Sequence, residues 1–144
     1  MTFVQTALRA SLVLAFVFSA SPHVLAQPAA SYPTGGDFYL AYRMAFDKAT
    51  SIDELLPWVA KGRREQIAKA PADEKKVGFD MIKMFDDRVN ITIVNETPTA
   101  AGADLQVEGI SAETKAKATG AITLVKEEGA WKIERENWKS GTGQ

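Results

Sequence analysis

The sequence predicts an α+β fold, in which N-terminal helices pack on one face of a curved four-stranded antiparallel sheet. The apolar residues follow helical spacing from about residue 37 to residue 87 and alternate in steps of two from about residue 89 to residue 139. The alternating segments each keep one polar face, which is typical of an antiparallel sheet covered on its other face only. The three helices are the only segments available to cover that face.

Residues 1–26 have the three parts of a secretory signal peptide. Met1–Arg9 carries one basic side chain and no acidic one, residues 10–20 are uncharged, and Val24-Leu25-Ala26 ends in a small residue. The apolar run is shorter than the ~20 residues that cross a bilayer. We therefore expect cleavage after Ala26, a periplasmic or secreted protein, and no stable membrane anchor after cleavage. An uncleaved anchor and a buried helix are the rival interpretations.

Cleavage after Ala26 would remove His23, the only histidine, and the chain has no cysteine. Without imidazole or thiol, the mature protein cannot form a Ser-His-Asp triad or a Cys-His pair. Zinc, copper and haem sites would lack their usual ligands. We accordingly predict no metal, no cofactor and no catalytic residue of these classes.

The charge balance disfavours nucleic acid as a partner. The chain has 17 basic and 18 acidic residues, and the leader contains only a basic one, Arg9. A protein that binds nucleic acid needs a basic stripe to neutralise phosphates. No glycine-rich nucleotide-binding motif is present either.

The predicted domain boundaries follow composition. Residues 27–36 are rich in Pro, Gly and Ser and form a flexible lead-in, residues 37–139 form a single domain, and residues 140–144 form a tail. Asp37 is the expected cap of the first helix. Pro57 lies too deep in the second helical segment for its first turn, so we expect a kink or two short helices there.

Two helices carry apolar stripes that we expect to face the sheet. The stripe of the first helix consists of Phe38, Tyr42, Ala45, Phe46 and Ala49. The stripe of the third helix consists of Val77, Met81, Met84 and Phe85. In the strands, the inward positions are Val89, Ile91, Ile93, Leu105, Val107, Ala116, Ala118, Gly120, Ile122, Leu124, Trp131 and Ile133.

The last two strands form a hairpin whose turn is predicted at residues 126–129, with Gly129 in a left-handed conformation. This register places Gly120 opposite Arg135 and Ala118 opposite Asn137 on the inner face, and Trp138 on the outer face. Either the sheet runs past its core and Arg135 and Asn137 are solvated, or small residues facing polar ones form a concave ligand site. In the second case Arg135 would pair with an anionic group of the ligand. The candidate pocket residues are Tyr42, Phe46, Trp131, Arg135 and Asn137.

This arrangement, with the segments SIDELLPWV, MIKMF and ITLVKEEGAWKIERENW, resembles the nuclear-transport-factor-2-like superfamily, and in particular its small exported domains of uncharacterised function. The resemblance implies a cone-like, cystatin-like roll with a pocket at its open end. One enzymatic branch of that superfamily uses a His–Asp pair, for which the mature chain lacks the histidine. Another uses a buried carboxylate base, with a tyrosine or a protonated acid as the oxyanion donor. The chain has carboxylate and tyrosine residues on its predicted helices, but none of them aligns with a catalytic position of that branch. They are Asp37, Tyr39, Tyr42, Asp47 and Asp80.

These observations favour an exported binding or accessory domain that accepts a small molecule, or a short piece of a partner protein, at the open end of the cone. The alternatives are an enzyme with a carboxylate general base and a purely protein-interaction module. A cavity with a carboxylate within reach of a tyrosine hydroxyl would favour the enzyme. A cone filled by Phe46, Trp58 and Trp131 would favour the interaction module. The charged outer face of the sheet predicts a monomer or a weak dimer.

Overall fold

The computed structural model describes residues 31–140. They form helix α1 (Gly35–Lys48), a 3₁₀ helix (Ile52–Trp58), α2 (Lys61–Lys69), α3 (Ala72–Phe85) and strands β1 (Arg88–Pro98), β2 (Gly102–Ser111), β3 (Lys117–Glu127) and β4 (Ala130–Ser140). The strands are antiparallel in the order β1-β2-β3-β4, so the α+β prediction is confirmed. The leader, residues 27–30 of the lead-in and residues 141–144 lie outside the described residues. No helix within residues 31–140 is long and apolar enough to cross a membrane.

The start of α1 differs from the prediction. The Thr34 hydroxyl caps the helix by accepting a hydrogen bond from the backbone N–H of Asp37 at 3.0 Å, so the cap is Thr34 rather than Asp37. The Glu96 carboxylate accepts the backbone N–H groups of Gly35 and Gly36 at 2.9 and 3.0 Å. Helix N-termini favour negative charge, and Glu96 therefore ties α1 to β1. The end of the predicted lead-in belongs to the folded domain.

Pro57 divides the second helical segment as predicted. The 3₁₀ helix ends one residue after it, and α2 begins at Lys61. Between the two, Val59 forms a parallel bridge with Ile133, and the Ala60 N–H donates to the Ile133 carbonyl at 2.8 Å. Proline cannot donate a backbone hydrogen bond, so a helix break here agrees with its chemistry.

The core lies between α1 and the inner face of the sheet. The stripe of α1 is buried as predicted except at Ala45, which is partly buried, and Tyr39 joins the stripe with no exposed surface. On the sheet side, six residues are at most 1 % exposed, namely Ala103, Leu105, Val107, Ile122, Leu124 and Ile133. Aromatic rings fill much of the space: Phe38 lies 5.6 Å from Trp58, and Tyr42 lies 6.1 Å from Trp58. Trp131 is only half-buried, and its indole N–H donates to the Tyr32 carbonyl.

The sequence prediction placed the wrong face of α3 against the core. Val77, Met81, Met84 and Phe85 are between 51 and 71 % exposed, whereas Phe79 is 4 % exposed and packs on Phe46. Two long side chains also anchor this inner face: Lys83 donates to the carbonyls of Phe46 and Asp47, and Lys75 pairs with Asp53. Because α3 has apolar residues on more than one face, its periodicity alone did not determine which face is buried.

The first strand also departs from simple alternation. Val89 is 44 % exposed, while Ile91 and Ile93 pack against the core. The register shifts between Val89 and Thr92, where Asn90 adopts a φ of 55°. A bulge of this kind reverses the side-chain faces on one side of it, so Val89 no longer shares a face with Ile91.

The closing hairpin has a different register from the one predicted. Glu127 pairs with Ala130 across a two-residue turn, with φ of 52° at Glu128 and 80° at Gly129, so the left-handed Gly129 is confirmed. Leu124 pairs with Ile133, and the register then shifts by one residue, so that Thr123 pairs with Arg135. This bulge turns Arg135 and Asn137 to the outer face, where both are exposed.

Beyond the bulge, the inner face of β4 carries Glu136 and Trp138 instead. Glu136 pairs with Ile122, and Trp138 pairs with Gly120. A Cβ atom on Gly120 would lie 2.9 Å from the Trp138 ring, so the absence of a side chain at Gly120 makes room for the indole. The prediction that Trp138 lies on the outer face is therefore wrong.

Candidate functional site

A cleft of about 270 Å³ lies between the helices and the inner face of the sheet. Every helix and both edge strands contribute to it, which places residues distant in sequence around one space. Its apolar walls come mainly from the helical side. Its charged groups come from α1, α2, β1 and β4 and from Asp86, which follows α3. The lining residues are Tyr42, Arg43, Phe46, Ile52, Leu55, Val59, Arg63, Ile67, Ile82, Asp86, Arg88, Glu136 and Trp138.

A larger depression, of about 540 Å³, lies beyond the end of α3. Its lining side chains are mostly exposed, including Met84, Phe85 and Lys117. Its polar groups already have partners on the surface: Ser111 donates to Asp87, and Lys117 pairs with Glu108. A ligand there would displace water without gaining buried polar contacts, so the smaller cleft is the better candidate.

Glu136 is the carboxylate on the sheet side of the cleft. Its two oxygens accept hydrogen bonds from the Tyr39 hydroxyl at 2.9 Å and the Tyr42 hydroxyl at 3.2 Å. The two tyrosines follow each other on the buried side of α1, because residues three apart share a helix face. Burial, followed by the negative charge of Glu136, raises the pKa of both tyrosine hydroxyls. The hydroxyls therefore stay protonated and act as donors to the carboxylate.

Two arginines share a second carboxylate, Asp86. Both terminal nitrogens of Arg43 donate to Asp86, at 2.6 and 3.1 Å, and Arg88 Nε donates at 2.8 Å. The Asp86 side chain is only 6 % exposed and that of Arg43 only 7 %. The Arg43 guanidinium also stacks on Phe46, and that of Arg88 lies over Trp138, 4.6 Å from the ring centroid. These contacts fix the positions of both cations at the wall of the cleft.

Two N–H donors that belong to cleft-lining residues are buried without an acceptor among residues 31–140. They are Arg43 Nε and Trp138 Nε1. A buried donor left without a partner costs about 1–3 kcal/mol. Native proteins leave few such groups unpaired.

The cleft carries more positive than negative charge. Three arginines line it, Arg43, Arg63 and Arg88, against the two carboxylates Asp86 and Glu136. Within the described part of the chain, no three acidic or histidine side chains come together in a way that could hold a metal ion.

The structure brings together only part of the predicted pocket. Tyr42 and Phe46 line the cleft. Trp131 lies apart from it beside Tyr32, and Arg135 and Asn137 lie on the opposite face of the sheet. The aromatic filling expected of an interaction module is partial, since Phe46 and Trp58 are buried while the cleft remains open beside them.

Sequence reasoning missed Arg43, Asp86, Glu136 and Trp138. The position of Arg43 in the sequence could have indicated its role. It follows Tyr42 directly, so its charged side chain lies at the edge of the apolar stripe of α1. Glu136 and Trp138 had no such indication, because the run from Glu134 to Asn137 is polar throughout and does not indicate where a bulge lies.

Comparison with protein-family models, with curated proteins and with solved structures found no match to this chain. The resemblance to the nuclear-transport-factor-2-like superfamily accordingly stays a prediction from sequence, and the geometry of the cleft is the basis for a proposal about function.

Proposed function

We propose that this chain is an exported, periplasmic binding or accessory domain that accepts a small molecule in the cleft between its helices and its sheet. The observation that carries the proposal is the combination of apolar walls with convergent, buried polar groups around one space. Phe46, Ile67 and Ile82 supply apolar surface, while Glu136 and Arg43 present charge. This combination is the usual composition of a small-molecule site.

The polar groups of the cleft are held in place before any ligand arrives. Tyr39 and Tyr42 fix Glu136, and Asp86 fixes Arg43 and Arg88. Side chains that are already ordered lose little entropy on binding, and a ligand that contacts them keeps more of its interaction free energy. Such preorganisation favours a binding site over a surface whose charges are simply solvated.

An enzyme with Glu136 as general base is the second candidate. The observation in its favour is that Glu136 lies within hydrogen-bond distance of two tyrosine hydroxyls in a cleft. However, both hydroxyls donate to the carboxylate itself, so each of its oxygens already has a hydrogen-bond partner. The hydroxyl protons are then also not free for a developing oxyanion. This arrangement supports binding more than proton abstraction.

Native mass spectrometry of the protein purified from the periplasm of a bacterium that expresses the full chain tests the proposal. We expect extra mass that leaves on denaturation. Ile67→Trp would fill the cleft from the half-exposed side of α2, and we expect this variant to lose the extra mass. Ala68→Trp adds the same ring at an exposed neighbouring position outside the cleft and serves as the control.

A wild-type protein without extra mass would contradict the proposal, as would extra mass that Ile67→Trp retains. The enzyme candidate is tested separately with Glu136→Gln. If Glu136 is the general base, this variant should keep the bound mass but no longer remove deuterium from the carbon next to the carbonyl group of a bound compound. Deuterium loss that is equal in wild type and Glu136→Gln would exclude Glu136 as the base.

A further inference from the structure

We infer that α3 is the contact helix of a symmetric homodimer, in which its outer face packs antiparallel against the same face of a second copy of this chain. The outer face consists of Val77, Gly78, Met81, Met84 and Phe85. Three observations carry this inference: the exposure of the apolar side chains, a glycine without a role in its own chain, and the way in which the face complements itself. None of the five residues lines the cleft, so the contact needs no ligand there.

Exposed apolar side chains are concentrated on α3. Of the 10 large apolar residues that are exposed among residues 31–140, 5 lie on this 14-residue helix. Four of them are between 51 and 71 % exposed and share the face opposite the buried Phe79, because residues three or four apart lie on one side of a helix. These four are Val77, Met81, Met84 and Phe85. Single exposed apolar residues are ordinary on a protein surface, but a group on one face marks an interaction site.

Gly78 lies within this face without a reason in its own chain. A Cβ atom there would meet nothing within 4 Å among residues 31–140 beyond its own helix backbone, so the single chain has room for a side chain. The position is helical, and glycine in the interior of a helix is destabilising relative to alanine. Glycine does allow a second chain to approach closely. We therefore place Gly78 at the contact with the second copy.

The face complements itself when two copies of α3 cross antiparallel at Met81, the centre of the exposed group. A two-fold axis there places each residue opposite the one that lies equally far on the other side of Met81. Phe85 then lies opposite Val77, and Met84 lies opposite Gly78, so each large side chain meets a small one. A parallel pair would set Phe85 against Phe85 and leave a gap between the two glycines.

The charges at the two ends of α3 favour the antiparallel orientation. The first turn carries Asp73 and Glu74, and neither forms an ion pair within residues 31–140. The depression beyond the other end of the helix is lined by the exposed Lys117, whose ammonium group has three donors. An antiparallel contact brings the two carboxylates of one copy towards Lys117 of the other. Asp80 already pairs with Lys76 of its own helix, so it adds no uncompensated charge near the axis.

One helix face from each copy makes a small contact, below the roughly 1,200 Å² at the low end of stable interfaces. We therefore expect a weak dimer, with a dissociation constant on the order of 100 µM. In protein diluted well below this concentration, the outer face of α3 is exposed, as it is in the single chain.

Sedimentation equilibrium of the full folded protein from about 10 µM to about 1 mM measures the association, and we expect a passage from monomer to dimer over this range. Met81→Lys places two like charges on the two-fold axis and should weaken the dimer at least about tenfold. Met44→Lys changes the same residue type at a 61 % exposed position of α1 and should leave the association unchanged. Both methionines are exposed, so neither change should unfold the chain.

Met81→Cys reports the position of the axis, because the chain has no cysteine of its own. A residue on the axis faces its own copy, and a disulfide requires Cα atoms within roughly 7 Å of each other. Oxidised glutathione should therefore join two Met81→Cys chains and be reduced in the process. At the same protein concentration it should join Met44→Cys chains far more slowly.

Gly78→Leu tests the pairing of large with small side chains. Leucine favours a helix more than glycine does, and a Cβ atom at this position meets no other part of the chain. The Tm of the diluted monomer should therefore rise by on the order of 3 °C. In the dimer, the leucine would occupy the space of Met84 of the second copy, and association should weaken at least about fivefold.

A wild-type chain that stays monomeric at about 1 mM would overturn the dimer, and so would association that Met81→Lys retains in full. Disulfide formation at equal rates in Met81→Cys and Met44→Cys would indicate random collision and overturn the contact through α3. A dimer that Gly78→Leu leaves unchanged or makes tighter would overturn the antiparallel pairing at Met81. None of these results bears on the bound mass that tests the proposed function.

Discussion

Asp86 offsets part of the positive charge of the cleft, because both Arg43 and Arg88 pair with it. Burial alone would raise the pKa of its carboxyl, but hydrogen bonds from Arg43 and Arg88 and their positive charges lower that pKa below its ordinary value. The folded protein therefore keeps Asp86 ionised at a pH where the unfolded chain takes up a proton. The stabilisation is complete above the ordinary pKa of about 4 and is lost as the pH falls through the lower pKa of the folded state.

We expect Asp86→Asn to lower the free energy of unfolding at pH 7 by about 3 kcal/mol, because it leaves two arginines, one of them buried, without a counter-charge. Its stability should also fall less than that of the wild type when the pH is lowered below about 4. Urea denaturation over this pH range measures both effects. Asp80→Asn removes a carboxylate from an exposed ion pair with Lys76 and should cost less than about 1 kcal/mol. Equal losses in the two variants would show that the Asp86 cluster does not stabilise the fold.

At the scale of single elements, α3 shows how an amphipathic pattern can be correct about a helix and wrong about its buried face. The stripe from Val77 to Phe85 predicted the helix, since apolar residues recur at helical spacing. The contact that attaches it is Phe79, which packs on Phe46 next to the Lys83 side chain. Lys83 also donates to the carbonyls of Phe46 and Asp47 at the end of α1, and an apolar periodicity cannot predict this polar contact.

This orientation of α3 has a measurable consequence. Phe79→Ala should lower the free energy of unfolding by about 3 kcal/mol, because it removes a buried ring and leaves a cavity. Phe85→Ala changes the same residue type six positions later, where the ring is 71 % exposed, and should cost at most about 0.5 kcal/mol. Thermal or urea denaturation of the two variants gives the comparison. A larger loss for Phe85→Ala would mean that the originally predicted stripe faces the core.

Strands β3 and β4 mark the limit of prediction for the site. Next to the turn, the observed pairing of β3 with β4 differs from the predicted pairing by two residues. A shift of two residues keeps every side chain on the predicted face of the sheet. The decisive difference is the single-residue bulge after Ile133, which exchanges Arg135 and Asn137 for Glu136 and Trp138. By contrast, Tyr42 and Phe46 could be placed from sequence, because a helix period fixes a face over many residues. The fold depends on such repeated patterns, whereas the positions of Glu136 and Trp138 in the cleft depend on one irregularity.

For the whole molecule, the order of elements places the first described residues against the last strand. The Tyr32 ring lies 5.6 Å from Phe38, and the Tyr32 carbonyl accepts the Trp131 indole N–H. Thr34 caps α1 two residues later. A cut after Ala26 falls before all of these residues, so removal of the predicted leader would leave these contacts within the chain.

We therefore expect the protein recovered from the periplasm of a bacterium that expresses the full chain to begin at Gln27. The expectation follows from the basic start, the uncharged residues 10–20 and the small residue at Ala26, which together match what signal peptidase cleaves. N-terminal sequencing and intact mass measure it, and Ala26→Lys, which places a charge at the predicted cleavage position, should block processing and serves as the control. A functional form that still begins at Met1 would contradict the prediction. Such a form would also keep His23, so mechanisms that use a histidine side chain would have to be considered again.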